Sequence, residues 1–216
     1  MEMFDWKCLP FGYIKTDFNV RSRYKDGKWS QLEVSSSEYI DIHIAATGLH
    51  YGQEAFEGLK AYRSRSGKIR LFRPRKNWER FNTSAARLCM PAIDVEFQFK
   101  VVEALLGLDH EWVPHTMGSS LYIRPTMIAT EAALGVHPSS EYLFFIVVGP
   151  VGAYYPQGFS PTKMYVSEEY VRAVRGGIGH VKAAGNYAAS LYASRIATNM
   201  GYTQVLWLDS AEKKYS

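Results

Sequence analysis

The chain has 216 residues, of which 47% are hydrophobic and 21% are charged, a composition typical of globular proteins. Its net charge is +4, but the basic residues are spread along the chain, which argues against a nucleic-acid partner. The two cysteines, Cys8 and Cys89, have no histidine or cysteine at metal-ligand spacing. This pattern argues against a disulfide framework and a zinc site, so we expect no metal and a reducing cytosol.

No apolar core of a signal peptide is visible in the first ten residues. The longest apolar run, residues 142–148, is too short to span a bilayer. We therefore expect a soluble, cytoplasmic protein with no membrane partner. A chain of this length can form one large domain or two modest ones.

Hydrophobic periodicity predicts strands in the first part of the chain. Three isoleucines alternate over residues 38–45, which predicts a strand with these side chains on one face. A second strand is predicted over residues 55–63. Gly67 then indicates a hairpin turn, and residues 69–73 return as the partner strand.

Two amphipathic helices and two strands are predicted next. Pro74 opens the first helix, and the second covers about residues 97–108. Strands follow over residues 121–130 and 142–148, and the continuous apolar run of the latter predicts a buried central strand. The first helix is predicted from apolar residues at three- and four-residue spacing: Trp78, Phe81, Ala85 and Leu88.

A stretch rich in proline and glycine, residues 149–158, predicts a domain boundary. We expect a small N-terminal α/β domain in residues 1–150, a linker in residues 151–162 and the start of a larger domain in residues 163–216. The larger domain is predicted to contain a strand, a glycine-rich loop, a helix and a second strand, over residues 164–168, 176–185, 187–200 and 204–209.

The last residues predict a polar turn, with residues 214–216 as the beginning of a returning strand. A domain does not normally stop inside a hairpin, because the strand edge and its backbone groups are then left unpaired. The second domain also has too few residues for an independent core. We therefore expect the sequence to be a fragment of a longer protein.

Lys182 lies in the glycine-rich loop and has three interpretations. It is a solvated surface lysine, part of a phosphate-binding loop, or a lysine that binds a carbonyl cofactor covalently. The loop lacks the Gly-Lys-Ser/Thr pattern of a P-loop, and a lone Gly-x-Gly is too weak for a dinucleotide site. A cofactor-binding lysine needs small neighbours, which residues 183–185 provide, and Tyr187 could hydrogen-bond the cofactor.

The run Lys-Ala-Ala-Gly-Asn-Tyr-Ala-Ala-Ser at residues 182–190 resembles the active-site signature of the branched-chain aminotransferases. These are fold-type-IV enzymes that use pyridoxal 5'-phosphate (PLP). Residues 50–62, 71–91, 121–125 and 151–155 match the same family in the same order. The resemblance implies an α+β (α/β) two-domain fold of the D-amino-acid aminotransferase type, with an incomplete second domain.

The resemblance also implies roles for three cofactor-binding residues. Lys182 would hold PLP and serve as the general acid/base of the reaction. Arg80 would bind the cofactor phosphate, although the residues alone favour a surface arginine paired with Glu79 or nearby acids. Tyr187 would hydrogen-bond the cofactor O3' atom, and its alternative is a core aromatic at the start of a helix.

Substrate-binding residues are implied in the same way. An apolar pocket for a branched side chain would be lined by Phe11, Phe56 and Tyr154, although each alone is typical of an ordinary core. Tyr122 and Arg124 would lie near the substrate carboxylates, but a structural ion pair of Arg124 remains an equal alternative. In a homodimer, the neighbouring subunit's site would be reached by Tyr51 and by the loop 134–136 that contains Val136.

The implied activity is transamination of L-leucine, L-isoleucine and L-valine with 2-oxoglutarate, which gives branched-chain 2-oxo acids and L-glutamate. A D-amino-acid aminotransferase, an aminodeoxychorismate lyase and a non-catalytic remnant remain alternatives. Preference among the three substrates is not predicted, because pockets discriminate a methylene by only about 1–3 kcal/mol. The acidic residue that the family places against the pyridine nitrogen is expected just after Ser216. A polypeptide ending there is expected to be inactive and to bind PLP weakly.

Overall fold

The computed structural model describes residues 5–6, 8–154 and 160–215. Its largest feature is an eight-stranded antiparallel sheet with the order β2-β1-β8-β7-β5-β6, in which β3 also pairs with β1 and β4 with β7. The strands are β1 (Asn19–Lys25), β2 (Lys28–Trp29), β3 (Glu33–Ser35), β4 (Glu54–Phe56), β5 (Leu59–Arg63), β6 (Ile69–Leu71), β7 (Ser120–Ala129) and β8 (Tyr142–Val151).

Two helices, α2 (Pro74–Arg87) and α3 (Val95–Leu108), pack with this sheet, while the short α1 (Thr47–Tyr51) precedes β4. Trp78 and Phe81 of α2 are completely buried, and the Phe81 ring lies 5.7 Å from that of Phe144 on β8. Burial of such large apolar side chains is the main stabilising contribution to the fold. The predicted helices and the buried central strand β8 are confirmed.

The hairpin predicted at Gly67 is also confirmed, because Gly67 has a φ of +79° and β5 pairs with β6. The predicted strand over 55–63 is interrupted, however, at Glu57 and Gly58, so that β4 and β5 are separate. Both strands pair with β7, and the residues opposite this break are Arg124 and Pro125, of which Pro125 has no N–H to donate to the ladder.

The strand predicted over residues 38–45 is wrong, because the structure has no strand there. Its backbone binds side chains instead: the Tyr39 amide donates to Ser37 Oγ at 3.2 Å, and the Ala45 amide donates to His43 Nδ1 at 3.1 Å. The side chain of Ile44 is 84% exposed. The β1–β2 hairpin was missed, although its turn contains Asp-Gly, a strong hairpin signal, at Asp26-Gly27.

A second, two-stranded parallel sheet contains β9 (Met164–Ser167) and β10 (Gln204–Trp207), which are connected through α4 (Ala184–Asn199). These elements confirm the two strands and the helix predicted in this part, although α4 begins three residues earlier than expected. The predicted returning strand at 214–216 is not seen at Lys214 and Tyr215, and Ser216 is outside the described residues. The Tyr215 carbonyl accepts a hydrogen bond from the Asp209 amide, and the Tyr215 amide donates to the Asp209 carboxylate at 2.9 Å.

The predicted linker is described only in part, since residues 155–159 lie outside the described residues. Its first residue, Val151, is the last residue of β8. Among the helices that the structure describes, none has the length and apolar character needed to cross a membrane.

Candidate active site

Lys182 lies two residues before α4, and Ala183 between them is extended. Side chains of a helix tilt toward its N-terminus, so the side chain of Tyr187 in the first turn points back toward Lys182. The Lys182 Nζ atom donates a hydrogen bond to the Tyr187 hydroxyl at 3.0 Å. It also lies 4.5 Å from the centre of the Phe56 ring, so aromatic faces surround the amine.

The segment around Lys182 is attached to the edge of the large sheet. The Lys182 carbonyl accepts a hydrogen bond from the Phe56 amide at 3.1 Å, and Ala183 forms a bridge with Ala55. Ala183 is buried, so its small side chain serves this close packing. Gly185 is exposed, and a Cβ atom on it would meet only the side chain of Ile178, at 3.9 Å.

Arg80 projects from α2 and is held by Glu57. Its Nε and Nη2 atoms donate to the two Glu57 carboxylate oxygens at 2.7 and 2.5 Å. Glu57 is completely buried, whereas the Arg80 side chain is 53% exposed. The hydrogen bond to Glu57 raises the pKa of Arg80, and the Coulomb interactions with Glu57, Tyr187 and Tyr122 act in the same direction. A guanidinium has five N–H donors, so Arg80 retains donors for a second anion.

The sequence did not identify Glu57, because the expected partners of Arg80 were Glu79 or nearby acids. Glu79 instead pairs with Lys76 at 2.6 Å. A carboxylate between apolar and small strand residues is the signal that could have found Glu57, because a buried charge requires a partner. The partner itself could not be read from the sequence, since it lies 23 residues away.

Arg124 lies between two aromatic rings and lacks an anionic partner in the described part of the chain. Its guanidinium carbon is 4.7 Å from the Phe56 ring centre and 5.1 Å from that of Tyr122, whose hydroxyl accepts a hydrogen bond from Arg124 Nη2 at 3.0 Å. The Arg124 Nε atom is buried and has no hydrogen-bond partner among these residues. Burial raises the pKa of Glu54, and the charge of Arg124 opposes this rise. A partly buried guanidinium without an anionic partner is a candidate binding group for a carboxylate.

An apolar cavity of about 280 Å³ adjoins Tyr122 and Arg124. Phe11 stands edge-on to Tyr122 and to Tyr154, with ring centres 5.7 and 5.1 Å apart. Phe11 and Tyr154 are 41% and 55% exposed, so they line an open surface and are not ordinary core residues. The cavity is lined by Phe11, Gly12, Tyr13, Tyr122, Arg124, Val147, Val148, Gly149 and Val151.

Ring contacts and hydrogen bonds therefore connect most of the predicted site residues into one group. Tyr51 and Val136 are outside that set of contacts. The Tyr51 hydroxyl donates a hydrogen bond to the carbonyl of Leu134, and the side chains of Leu134 and Val136 are 71% and 83% exposed. These residues form a second group on the surface, at α1 and the loop 134–136.

Comparison with curated proteins shows relatives over nearly the whole chain, although no family model matches it. A protein of Staphylococcus aureus (strain N315) named probable branched-chain-amino-acid aminotransferase is 49% identical over 209 residues, which are 96% of this chain and 58% of that protein. Branched-chain-amino-acid transaminase 1 of Bacillus subtilis (strain 168) is 47% identical over 213 residues, which are 98% of this chain and 60% of that protein.

A solved structure, the T.th. branched-chain amino acid aminotransferase with pyridoxamine 5'-phosphate, matches with a TM-score of 0.70 and 24% identity. The match covers 88% of this chain and 59% of that one. The predicted fold and the resemblance to the branched-chain aminotransferases are therefore confirmed. The chain spans about three-fifths of the length of the curated relatives it matches.

Proposed function

We propose that this chain is the part of a PLP-dependent branched-chain aminotransferase that anchors the cofactor. The observation that carries this proposal is the contact of Lys182 Nζ with the Tyr187 hydroxyl and the Phe56 ring. Arg80 also has a Coulomb interaction with Tyr187. The names of the relatives and the pyridoxamine 5'-phosphate in the structural neighbour support it.

The residues fit the chemical groups of PLP. Arg80 would bind the phosphate with the donors that Glu57 leaves unused, Tyr187 would donate to O3', and Lys182 would hold the carbonyl carbon. When bound, PLP supplies an electron sink for the bonds at the substrate Cα atom. The Lys182 amine would take the proton from Cα, and the neighbouring Tyr187 hydroxyl would orient it.

For the substrates, we propose L-leucine, L-isoleucine and L-valine, with 2-oxoglutarate as the amino-group acceptor. Arg124 and the Tyr122 hydroxyl would bind a substrate carboxylate, which is supported by the lack of an anionic partner for Arg124 among the described residues. The aromatic side chains of Phe11, Phe56 and Tyr154 would contact the branched side chain. The open apolar cavity that Phe11 lines, and the contact of the Phe11 ring with Tyr154, support this assignment.

We further propose a cytoplasmic homodimer with the domain division at residues 151–162. In the dimer, Tyr51 and Val136 would contribute to the site of the second subunit. The exposure of Val136 and Leu134 supports this arrangement, because exposed apolar side chains that cluster on a surface are typical of an interface.

The test is the Lys182→Ala variant of the longest gene product that contains this sequence. The parent protein is expected to transaminate L-leucine with 2-oxoglutarate, and Lys182→Ala is expected to lose at least ~10³-fold in kcat because both covalent attachment and proton transfer are removed. The matched control is Lys163→Ala, which removes an exposed lysine and should leave kcat unchanged.

Two results would contradict the proposal. Activity of Lys182→Ala within about tenfold of the parent protein would exclude Lys182 as the essential amine. Turnover of D-alanine in place of L-leucine would instead indicate a D-amino-acid aminotransferase.

A further inference from the structure

Ser84 is a buried hydroxyl that connects α2 with the backbone of Lys182. Its side chain has no exposed surface. The Lys182 amide donates a hydrogen bond to Ser84 Oγ at 2.9 Å, although the two residues are 98 positions apart in sequence. The same Oγ atom donates to the Arg80 carbonyl, also at 2.9 Å. One hydroxyl therefore bridges the backbones of Arg80 and Lys182.

The Lys182 peptide groups are held from both sides. The amide is bound by Ser84, and the carbonyl by the Phe56 amide at 3.1 Å. The preceding carbonyl, that of Val181, accepts a hydrogen bond from the buried Asn186 side chain at 2.8 Å. Among these contacts, only the one to Ser84 leads to the helix that carries Arg80.

The bridge matters because PLP is short. Its aromatic ring and single CH2–O linkage limit the separation between the phosphate, which Arg80 would bind, and the carbonyl carbon, which Lys182 would hold. A site that must engage both groups at once requires a fixed spacing between the two residues. We propose that Ser84 is a positioning residue that sets the spacing of Arg80 and Lys182, and this inference rests on the proposed function.

The test compares Ser84→Ala with Thr83→Ala. Thr83 lies on the exposed face of the same helix and donates to the Glu79 carbonyl at 2.9 Å, so its hydroxyl makes the same bond within the helix but none to Lys182. Ser84→Cys retains the size of the side chain with a weaker acceptor, and it serves if Ser84→Ala does not fold. Circular dichroism checks the fold of each variant.

The first measurement is amide hydrogen exchange at Lys182 without any cofactor. Loss of the acceptor in Ser84→Ala is expected to speed exchange of this amide about tenfold or more, as for the loss of one hydrogen bond. Ser84→Cys should show a smaller increase, and Thr83→Ala none. Unchanged exchange in Ser84→Ala would show that the bridge does not hold Lys182 and would overturn the inference.

The second measurement is the rate of borohydride-trapped labelling of Lys182 by PLP and by pyridoxal, which lacks the phosphate. The spacing matters only when both ends are engaged, so Ser84→Ala should lose about tenfold with PLP and much less with pyridoxal. An equal loss with both reagents would indicate a purely structural role and overturn the inference. A parent protein that shows no labelling at Lys182 would contradict the proposed function. The exchange data would still show in that case whether Ser84 holds the Lys182 amide.

Discussion

Helices α2 and α4 both contribute side chains to the candidate site, but they are held in place differently. In α2, Trp78 and Phe81 are completely buried against the sheet. In α4, the buried side chains are smaller, and Leu191 is 67% exposed. The position of Arg80 therefore depends on extensive apolar packing, whereas that of Tyr187 depends on a few polar bonds at the first turn of α4 and on contact with the Phe56 ring.

The sharpest test of this difference replaces one apolar side chain in each helix by alanine. Phe81→Ala is expected to lower the free energy of unfolding by about 3–5 kcal/mol, because a completely buried ring is lost and a cavity remains. Leu191→Ala should change it by less than about 0.5 kcal/mol. Urea unfolding of both variants measures the effects. Similar losses in the two variants would show that α4 is as firmly packed as α2.

The same comparison shows how much of the fold and site could be predicted from the sequence. The apolar spacing of α2 predicts which face is buried, because packing follows the period of the helix. For Lys182 and Tyr187, local spacing indicated only a possible contact, and their roles needed the resemblance to the family. The partnerships of Glu57 and Ser84 could not be predicted, since both are tertiary contacts between residues distant in sequence.

The strand wrongly predicted over 38–45 has a related cause. Alternating apolar residues indicate a strand only if a neighbouring strand is available to pair with the backbone. At this position, the nearby β1 pairs instead with β3 and β8, and side chains of β1 bind the Ser37 carbonyl. A pattern within one segment does not carry information about which edges of a sheet are already occupied.

A smaller effect is expected at Gly58, which tests how closely the α2 side of the site is packed. The Gly58 carbonyl accepts a hydrogen bond from Asn77 of α2, and a Cβ atom here would overlap the Tyr122 hydroxyl. Gly58→Ala is expected to cost about 1–3 kcal/mol of unfolding free energy. The control is Gly107→Ala on α3, where the space is open and alanine should stabilise by about 0.5–1 kcal/mol. Thermal unfolding that ranks the two variants equally would show that Tyr122 can move at little cost.

The smallest effect on stability is expected from the titration of two side chains in the exposed segment 131–140. Polar bonds hold this segment in place, as they do the start of α4. The Glu131 carboxylate accepts hydrogen bonds from the Ser140 amide at 2.6 Å, from His137 Nε2 at 3.1 Å and from the Ser140 hydroxyl at 3.0 Å. These bonds lower the pKa of Glu131 from 4.5 to about 2. The hydrogen bond to Glu131 raises the pKa of His137 above 6.5.

The two pKa shifts predict that the stability of this segment decreases both at low pH and at high pH. The pKa of Glu131 is lowered on folding, so its stabilisation is present above pH 4.5 and is lost as the pH falls toward 2. The pKa of His137 is raised, so its stabilisation is complete below pH 6.5 and is lost as the pH rises through the raised value. Protection of the Ser140 amide from hydrogen exchange, corrected for intrinsic rates, should therefore be greatest between pH 4.5 and 6.5. His137→Gln should abolish only the loss of protection above pH 6.5. If protection still falls above pH 6.5 in that variant, a group other than His137 causes the loss.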